Sequence, residues 1–397
     1  MNPAERRAGV SLAAIFALRM FGLFLILPVF AAHAHTLPGG DRASLAGLAI
    51  GAYGLTQAFL QIAFGVASDR FGRKPVILFG LALFVAGSAA AALATDIYDI
   101  IIGRSVQGAG AISAAVTALA ADLTRDQHRT KIMAMIGSSI GLVFALSMVG
   151  GPLLYTAIGM SGIFWLTAAL AIGAMALTVW VVPAAPQHQN VTQRPVGAIG
   201  RILRHGALMR LNFGVFALHF IQTAMWVTLP TALTQQSHLP VAAHWKVYLP
   251  AVLLSFTVMV PAVIAAERRG QFKPVFIGAV ALLAFVQFGL HQWADNVWLT
   301  GLWLTFFFVA FNILEAMQPS LISRIVSPGI KGAALGVYNT LQSIGLFLGG
   351  AVGGWIVQHF GKTAIAGCCS ALALLWLMLI ILRPLAVPPK SLPSHTH

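Results

Sequence analysis

A short charged segment interrupts an otherwise apolar chain at residues 65–75, GVASDRFGRKP. Only 9% of the 397 residues are charged. Four of these charges fall within six positions here: Asp69, Arg70, Arg73 and Lys74. Carboxylates and cations at this spacing can form an ion-pair cluster, which Asp122 at the end of another apolar stretch could join. The alternative is that the charges only anchor a loop and set its side of a membrane.

Three ionisable side chains lie well inside apolar stretches, where they are costly and therefore functional by default: Arg19, Arg104 and Glu315. Burial favours the neutral carboxyl and a nearby cation favours the carboxylate, so a moving arginine or an arriving substrate could change the protonation of Glu315. This pattern indicates a proton carrier, and a fixed ion pair between helices is the alternative. His219 could carry a second proton, although a lone intramembrane histidine more often forms structural hydrogen bonds.

Two motifs of enzymatic chemistry, the GxxxxGK[ST] loop and HExxH, are missing from the sequence. The adjacent Cys368 and Cys369 give neither a disulfide framework nor the spacing of metal ligands. The pair His33 and His35 alone is too small a ligand set for a metal site. We therefore expect no enzyme, no cofactor and no metal, and a gradient must drive any transport.

The chain that positions these residues has the composition of an integral membrane protein. It is 58% hydrophobic, with a mean hydropathy of +0.86, and a helix needs about 20 apolar residues to cross a bilayer. Twelve such stretches occur, at 10–32, 43–68, 75–94, 97–122, 131–157, 162–183, 207–231, 244–266, 274–292, 297–325, 330–358 and 361–383. They predict an all-α membrane protein with twelve transmembrane helices.

The basic residues are unevenly distributed between the loops. With the N-terminus placed in the cytoplasm, nineteen of the 24 Lys and Arg residues fall in cytoplasmic segments and three in outer loops. This positive-inside bias predicts a multi-pass protein of a bacterial inner membrane with both termini cytoplasmic. The net charge of +14 is explained by this orientation and gives no reason to expect nucleic acid.

Residues 184–206 are rich in Pro, Gln and Arg, and they divide the spans six and six. They predict a flexible cytoplasmic linker, whose last part, Ile199 to Arg204, could form an amphipathic helix on the membrane surface. The predicted domains are an N-terminal bundle at 1–183, the linker at 184–206, a C-terminal bundle at 207–383 and a short cytoplasmic tail at 384–397.

The two halves of the chain match each other in sequence at offsets of 200, 198 and 199 residues. The matches are FALRM at 16–20 with FALHF at 216–220, SDRFGRKP at 68–75 with AERRGQFKP at 266–274, and Gly150–Gly151 with Gly349–Gly350. Three ordered matches at one period indicate an internal duplication, which places Arg19 opposite His219. Parallel six-helix repeats with a binding site at their interface are a known transporter architecture.

The segment from Gly65 to Lys74 resembles motif A of the major facilitator superfamily and lies between the second and third spans, as that motif does. RSVQGAG at 104–110 is similar to the family's motif B. The stretch from Gly137 to Gly150, Gly151 and Pro152 resembles the Gly-Pro motif of the antiporter branch. The likeness covers nearly the whole chain and is greatest to YajR-type drug:proton antiporters. Because fourteen residues follow Arg383, we do not expect the extra cytosolic domain of that type.

This resemblance implies the major facilitator fold, with two pseudo-symmetric six-helix bundles. The charges of the motif A turn, together with Asp122, would hold the bundles together in the outward-open state and separate in the inward-open state. Gly65 and Gly72 would permit close helix approach and a tight turn. If the charges set topology only, no such latch exists.

Depth along the membrane normal sorts the three intramembrane charges. At about 1.5 Å per residue, Arg19 lies roughly 3 Å and Glu315 roughly 6 Å to the cytoplasmic side of their span centres. Arg104 lies about 9 Å to the outer side. Arg19 and Glu315 are therefore the expected pair, should an ion pair form.

Four polar helix faces predict a wet central cavity for substrate. Its expected lining is Asn212, His219, Gln222 and Trp226 in the seventh span, Asn312, Glu315 and Gln318 in the tenth, Tyr53, Gln57 and Gln61 in the second, and Asn339 and Gln342 in the eleventh. Each of these side chains could instead join two helices by hydrogen bonds. Soft apolar contacts for an amphipathic ligand could come from Phe16, Met20, Phe24, Phe144 and Met148.

These features favour a proton-coupled exporter of small amphipathic molecules that works by alternating access. Its expected partners are a small-molecule substrate, protons and the lipid bilayer, and we expect a monomer. Export of an organic anion is a second hypothesis, because Arg19 and Arg104 outnumber Glu315. A membrane receptor or structural protein that moves nothing is a third, and flux into proteoliposomes would separate it from both transporters.

Overall fold

The computed structural model describes residues 1–183, 198–292, 296–326 and 330–383. In these ranges the regular structure is helical. The N-terminal half contains α1 (Pro3–Ala34), α2 (Ala43–Phe71), α3 (Arg73–Ala92), α4 (Ile97–Ala109), α5 (Ser113–Asp122) and α6 (Asp126–Trp180). The C-terminal half contains α7 (Ala198–Arg204), α8 (Gly206–Gln235), a 3-10 turn (Val241–Ala243), α9 (Trp245–Arg269), α10 (Phe272–Gln292), α11 (Val297–Ile325) and α12 (Lys331–Leu382).

Two of these helices are too long for a single membrane crossing. Helix α6 has 55 residues and α12 has 52, which corresponds to about 80 Å against a hydrocarbon core of about 30 Å. Each is interrupted at a glycine with positive φ, Gly159 at 70° and Gly361 at 81°, a conformation that residues with a side chain rarely adopt. The chain therefore turns there, and each helix supplies two spans.

Nine helical segments in the described ranges are long and apolar enough to cross a membrane, and Phe272–Gln287 is a shorter apolar helix. With α6 and α12 each counted as two spans, all twelve predicted spans are present. The fourth span differs from the prediction, because it is divided into α4 and α5 around Gly110. The predicted linker falls partly on 184–197, outside the described residues, and its end forms α7. The predicted tail at 384–397 also lies outside them.

The helix ends define two faces of the molecule. We call the side with the N-terminus and the α2–α3 turn the basic face and the other side the opposite face. Toward the opposite face, α2 and α12 touch backbone to backbone: a Cβ atom on Gly47 would overlap the backbone oxygen of Gly350, and one on Gly354 would overlap that of Ala43. Small residues permit such close helix approach, and the two halves are therefore closed together on the opposite face.

Further contacts between the halves lie near the membrane centre or toward the opposite face. Tyr248 in α9 donates a hydrogen bond of 3.5 Å to the carbonyl of Pro28 in α1, and the rings of Phe144 in α6 and Phe308 in α11 lie 5.8 Å apart. Toward the basic face, Cβ atoms at Gly137 in α6 and Gly336 in α12 would meet open space.

Candidate functional site

The charged turn (Asp69, Arg70, Arg73 and Lys74) forms the ion pairs that its spacing predicts. Helix α2 ends at Phe71, Gly72 takes a φ of 94°, and α3 begins at Arg73, whose side chain reaches back over α2. Arg73 Nε donates to Asp122 Oδ2 over 2.9 Å, and Arg73 also pairs with Asp69. Its Nη1 donates to Ser68 Oγ over 2.8 Å. Arg73 therefore ties α2, α3 and α5 together.

The other members of the turn have separate contacts. Lys74 Nζ donates to the carbonyl of Val182 over 2.6 Å, just after the C-terminal end of α6, and the Arg70 guanidinium lies 5.4 Å from the Phe71 ring centre. Gly65 accepts a hydrogen bond of 2.9 Å from Ser68 through its carbonyl. These contacts, like the ion pairs of Arg73, lie within the N-terminal half, and they are formed while the opposite face is closed.

Arg19 is buried, with 1% of its surface exposed. Its Nη2 donates to the Tyr53 hydroxyl over 2.6 Å and to the Gly110 carbonyl over 3.0 Å, and Nη1 lies 3.4 Å from Ser113 Oγ. The Gly110 carbonyl is available because the helix is interrupted between α4 and α5. The Arg19 guanidinium also lies 5.4 Å from the ring centre of Phe84, within the range of a cation–π contact.

Arg104 is also buried, with 2% exposed. It donates to the carbonyls of Ala49 over 3.4 Å and Ile50 over 3.3 Å, and to Gln107 Oε1 over 3.0 Å. Its guanidinium lies 5.2 Å from the ring centre of Tyr53. Both intramembrane arginines thus converge on Tyr53 inside the N-terminal half.

Arg19 and Glu315, the pair expected should an intramembrane ion pair form, do not pair with each other in this structure. Arg19 contacts Tyr53, Gly110 and Ser113, whereas Glu315 contacts two residues of its own half. The position of a residue along a helix determines the height of its charge along the membrane normal but not the neighbour that its side chain faces. Tyr53 and the interrupted helix at Gly110 supply Arg19 with acceptors on its own side of the molecule.

Glu315 instead forms a cluster with His219 and Gln342, which we call the carboxylate cluster. His219 Nε2 lies 3.6 Å from Glu315 Oε2, and Gln342 Nε2 lies 3.3 Å from Glu315 Oε1 and 2.7 Å from His219 Nε2. Three helices, α8, α11 and α12, contribute one residue each. The His219 side chain is 6% exposed and that of Glu315 is 37% exposed, so the carboxylate can reach the space in front of the cluster.

The predicted cavity residues fall into two groups. Some have defined partners: Tyr53, His219, Glu315 and Gln342 as described, Asn312, which donates to Ser255 Oγ over 2.9 Å, and Asn212, whose Nδ2 lies 3.9 Å from Met209 Sδ. Among the described residues, several buried polar atoms lack a hydrogen-bond partner: Gln57 Oε1, both amide atoms of Gln61 and of Gln318, Asn212 Oδ1, Trp226 Nε1 and Glu315 Oε2. Gln222 is buried and Asn339 is half-buried.

Buried polar atoms without a partner are expected to bind water or a polar ligand group. Unpartnered groups of this kind occur in both halves, at Gln57 and Gln61 in α2 and at Asn212, Gln318 and Glu315 in the C-terminal half. Tyr338 was missed by the sequence analysis, and its buried hydroxyl is also without a partner. Because Tyr338 lies four residues before Gln342 in α12, helical spacing alone could have identified it.

The predicted apolar contacts are only partly accessible. Phe16 and Met148 are buried in the core, and Met20 is half-buried. The rings of Phe24 and Phe144 meet edge to face at 5.2 Å, and Phe144 continues to Phe308 in the other half. This row of rings spans the interface between the halves.

The glycines of the predicted antiporter motif have different surroundings. A Cβ atom on Gly151 would lie 2.6 Å from the carbonyl oxygen of Leu25, and one on Gly150 would lie 3.2 Å from its side chain. Gly151 therefore allows α6 to pack directly on the α1 backbone. Pro152 lies inside α6, and Gly137 faces open space.

Twelve apolar spans, two buried arginines and a polar cluster within the C-terminal half are the features of a multi-pass membrane protein with ionisable groups in its interior. The chain belongs to the Major Facilitator Superfamily, whose family model matches residues 10–266 and again 211–397. The two matches overlap at residues 211–266 and together cover residues 10–397, and the predicted family and fold are confirmed. Members of this superfamily are transporters rather than enzymes, as predicted.

Three comparisons illustrate this relationship. The chain is 45% identical to the inner membrane transport protein YajR of Escherichia coli, over 95% of this chain and 83% of that protein. It is 24% identical to the multidrug resistance protein MdtH of Aeromonas salmonicida, over 98% of this chain and 95% of that protein. The crystal structure of the human organic anion transporter MFSD10 superposes with a TM-score of 0.74, at 20% identity over 96% of this chain and all of that chain.

Proposed function

We propose that this transporter is a proton-coupled exporter of small amphipathic molecules in a bacterial inner membrane. The observation that carries the proposal is the carboxylate cluster. Glu315 and His219 lie 3.6 Å apart inside the membrane-spanning region, on helices whose sequence is otherwise apolar. Two titratable groups so placed can bind and release protons as the access of the cluster to water changes.

The alternating-access part of the proposal rests on the contrast between the two faces. The basic face carries the positive charges and is cytoplasmic under the positive-inside rule. On the opposite face the backbones of α2 and α12 are in contact at Gly47 and Gly350, so substrate would enter from the cytoplasm in this state. Export then requires that α2 and α12 separate on the opposite face.

The charged turn is proposed to favour the alternative, outward-open state. Arg73 fixes α2, α3 and α5 as one unit, and this unit can dock against the C-terminal half when the basic face closes. The contacts described here lie within the N-terminal half and prepare that surface. Both ion pairs persist in the present state, so we propose that docking of the turn, rather than formation of the pairs, changes between states.

The substrate class follows from the chemistry around the space between the halves. Unpartnered amide groups of Gln57, Gln61 and Gln318 can hydrogen-bond polar substituents, while Phe24 and Phe144 offer ring edges to an apolar body. Small molecules with both kinds of surface fit this lining. The name of the relative MdtH includes multidrug resistance, and that of YajR includes inner membrane transport; both are compatible with this proposal.

The organic-anion hypothesis has less support from the geometry. It depends on Arg19 or Arg104 meeting the substrate, but both side chains are nearly fully buried. Their guanidinium groups bond to Tyr53 and to backbone carbonyls within the N-terminal half. An anionic substrate would have to displace these contacts before either charge could bind it.

The test of the proposal is Glu315→Gln, which keeps the shape of the side chain but cannot ionise. In proteoliposomes, uptake of a fluorescent substrate against its concentration gradient should fall to background, while counterflow exchange largely survives. Substitutions of the neighbouring Gln318, such as Gln318→Glu or Gln318→Leu, do not test the proposal, because Glu315 can still ionise in them. A stable Glu315→Gln protein that still concentrates substrate when a pH gradient is imposed would exclude Glu315 as the proton carrier. The matched control is Glu267→Gln, which neutralises an exposed carboxylate at the basic end of α9.

A further inference from the structure

The amide of Gln342 lies between His219 and Glu315 and contacts both. Its Nε2 is 2.7 Å from His219 Nε2 and 3.3 Å from Glu315 Oε1. Across the ring, His219 Nδ1 is 3.0 Å from the carbonyl oxygen of Val215, which can only accept. His219 Nδ1 therefore carries a hydrogen. In the neutral ring Nε2 is then an acceptor, which suits the amide hydrogen of Gln342.

An amide has a donor end and an acceptor end, so its two orientations fit different protonation states of its neighbours. In the orientation described, the Gln342 NH₂ group donates one hydrogen to neutral His219 and the other to the Glu315 carboxylate. After rotation by half a turn, the Gln342 oxygen would accept from the Nε2–H of an imidazolium and from the O–H of a protonated Glu315. Each orientation matches one state of the pair.

We propose that Gln342 is a positioning residue that makes the protonation of His219 and Glu315 cooperative, so that the cluster binds two protons together. One proton binds to His219 Nε2 and one to Glu315 Oε1 while the amide rotates, and the net charge of the cluster changes from −1 to +1. The inference rests on the proposed function, which identifies these two residues as proton carriers.

The mismatch of a half-protonated cluster explains the cooperativity. If His219 alone gained a proton, its Nε2–H would face the N–H of Gln342 before rotation, and the amide oxygen would face a carboxylate oxygen after it. His219 Nε2 and Glu315 Oε2 lie 3.6 Å apart, within the range of an ion pair but beyond hydrogen-bond distance, so this contact supplies no acceptor for the new Nε2–H. Protonation of Glu315 removes the mismatch.

Apart from Tyr338, the other charged and titratable groups on neighbouring helices either have partners of their own or lie away from His219 and Glu315. Tyr338, on α12, is close enough for the charge of Glu315 to act on its hydroxyl. On α1 and α2, Arg19 and Tyr53 bond to each other. Further charged side chains on the described helices packed against the cluster lie toward helix ends or at the bend of α12: Arg201 and Arg204 on α7, Arg210 on α8, Lys246, Glu267, Arg268 and Arg269 on α9, Lys273 on α10, Arg324 on α11, and Lys331 and Lys362 on α12.

The experiment follows both groups by equilibrium titration of the purified protein in lipid nanodiscs. Infrared difference spectra report the carboxyl C=O stretch of Glu315, assigned by its loss in Glu315→Gln, and the ¹⁵N shifts of labelled histidine report His219. In the wild-type protein both signals should change with one common midpoint and a Hill coefficient above 1. In Gln342→Met, which removes both ends of the amide, they should separate into two single-proton steps with Hill coefficients of 1.

Two further variants keep the test decisive. Gln342→Asn retains an amide that is too short to reach both neighbours, and it should also separate the two steps if Gln342→Met folds poorly. Gln287→Met is the matched control, because Gln287 is a buried glutamine of the same half whose amide lies 3.4 Å from the Leu283 carbonyl of its own helix. It should titrate as the wild type does.

Separate midpoints in the wild type, or unchanged cooperativity in both Gln342 variants, would overturn the inference and leave the proposed function intact. Concentrative uptake by Glu315→Gln would overturn the proposed function, while the titration would still decide the role of Gln342. If neither His219 nor Glu315 changes its protonation in the wild type over the pH range in which the protein is stable, both proposals fail.

Discussion

The two halves of this transporter place different ions at equivalent positions. Arg19 and His219 are related by an offset of 200 residues, in FALRM and FALHF. Arg19 keeps its charge at any physiological pH and is bonded to Tyr53 and Gly110. His219 lies beside a carboxylate and an amide, and its ring can gain or lose a proton. The duplicated fold thus carries an arginine in one half and, under the proposed function, a titratable histidine in the other.

The equivalents of the other cluster residues sharpen this contrast. At an offset of 199, Glu315 corresponds to Val116 and Gln342 to Val143. Val116 is fully buried in the core of the N-terminal half. Of the three residues of the carboxylate cluster, two thus have an apolar valine at the equivalent position of the N-terminal half.

The largest effect on transport is expected when His219 is replaced by a residue with a permanent charge. His219→Arg would place a fixed cation beside Glu315, and the resulting ion pair should hold the carboxylate ionised. Proton-driven uptake into proteoliposomes should fall at least tenfold while the protein still folds. His359→Arg, an exposed change on α12, should transport normally. Uptake by His219→Arg at the wild-type rate would show that the two halves do not differ in the way proposed.

A smaller effect is expected where the halves meet. In Gly350→Ala the added Cβ would overlap the backbone of Gly47, so α2 and α12 should separate on the opposite face and the population should shift toward the outward-open state. Spin labels at the exposed positions Arg42 and His359 should report a longer distance. The control is Gly353→Ala, whose Cβ would lie 3.3 Å from Ala224 within the same half. Equal distances in both variants would contradict a backbone-packed closure.

The role of Arg19 is tested by a substitution that keeps the positive charge but removes the planar guanidinium group. Arg19→Lys presents a point charge that cannot reach Tyr53, Gly110 and Ser113 together, so one or two hydrogen bonds should be lost. We expect a loss of about 1–3 kcal/mol, measured as a lower melting temperature in detergent, with coupling retained. Arg6→Lys on the exposed first turn should have no effect. Loss of coupling without loss of stability would instead indicate that Arg19 takes part in proton transfer.

The smallest effect on stability is expected at the charged turn. Asp69→Asn removes one partly exposed ion pair of Arg73, and such pairs contribute about 0–1 kcal/mol. Expression and melting temperature should change little, yet transport should fall if the turn must dock during the cycle. Asp122→Asn, which breaks the link to α5, should give the same phenotype. Full transport by both variants would leave the turn as a topology signal.

Much of the fold was predictable because a bilayer restricts the choices. The lengths of the apolar stretches predicted the twelve spans, and the internal sequence repeat predicted the two halves. The turn cluster was predictable too, since Asp69 and Arg73 are one helical turn apart in sequence. The partner of Glu315 was not, because helical depth does not specify which neighbour a side chain faces. Nor did any sequence signal mark the Gly110 carbonyl as the acceptor of Arg19.

The contact between α2 and α12 has a consequence for the kinetics of the transport cycle. Gly47 and Gly350 bring two bare backbones together, so the helices can part at this point without a rotamer change of either residue. We expect a low barrier for this step and a rate that is insensitive to ionic strength, since no charge is part of the glycine contact. The slow step of the transport cycle would then be the change of protonation at the ionisable groups. Separation of α2 from α12 at the glycine contact would come after it and would be faster.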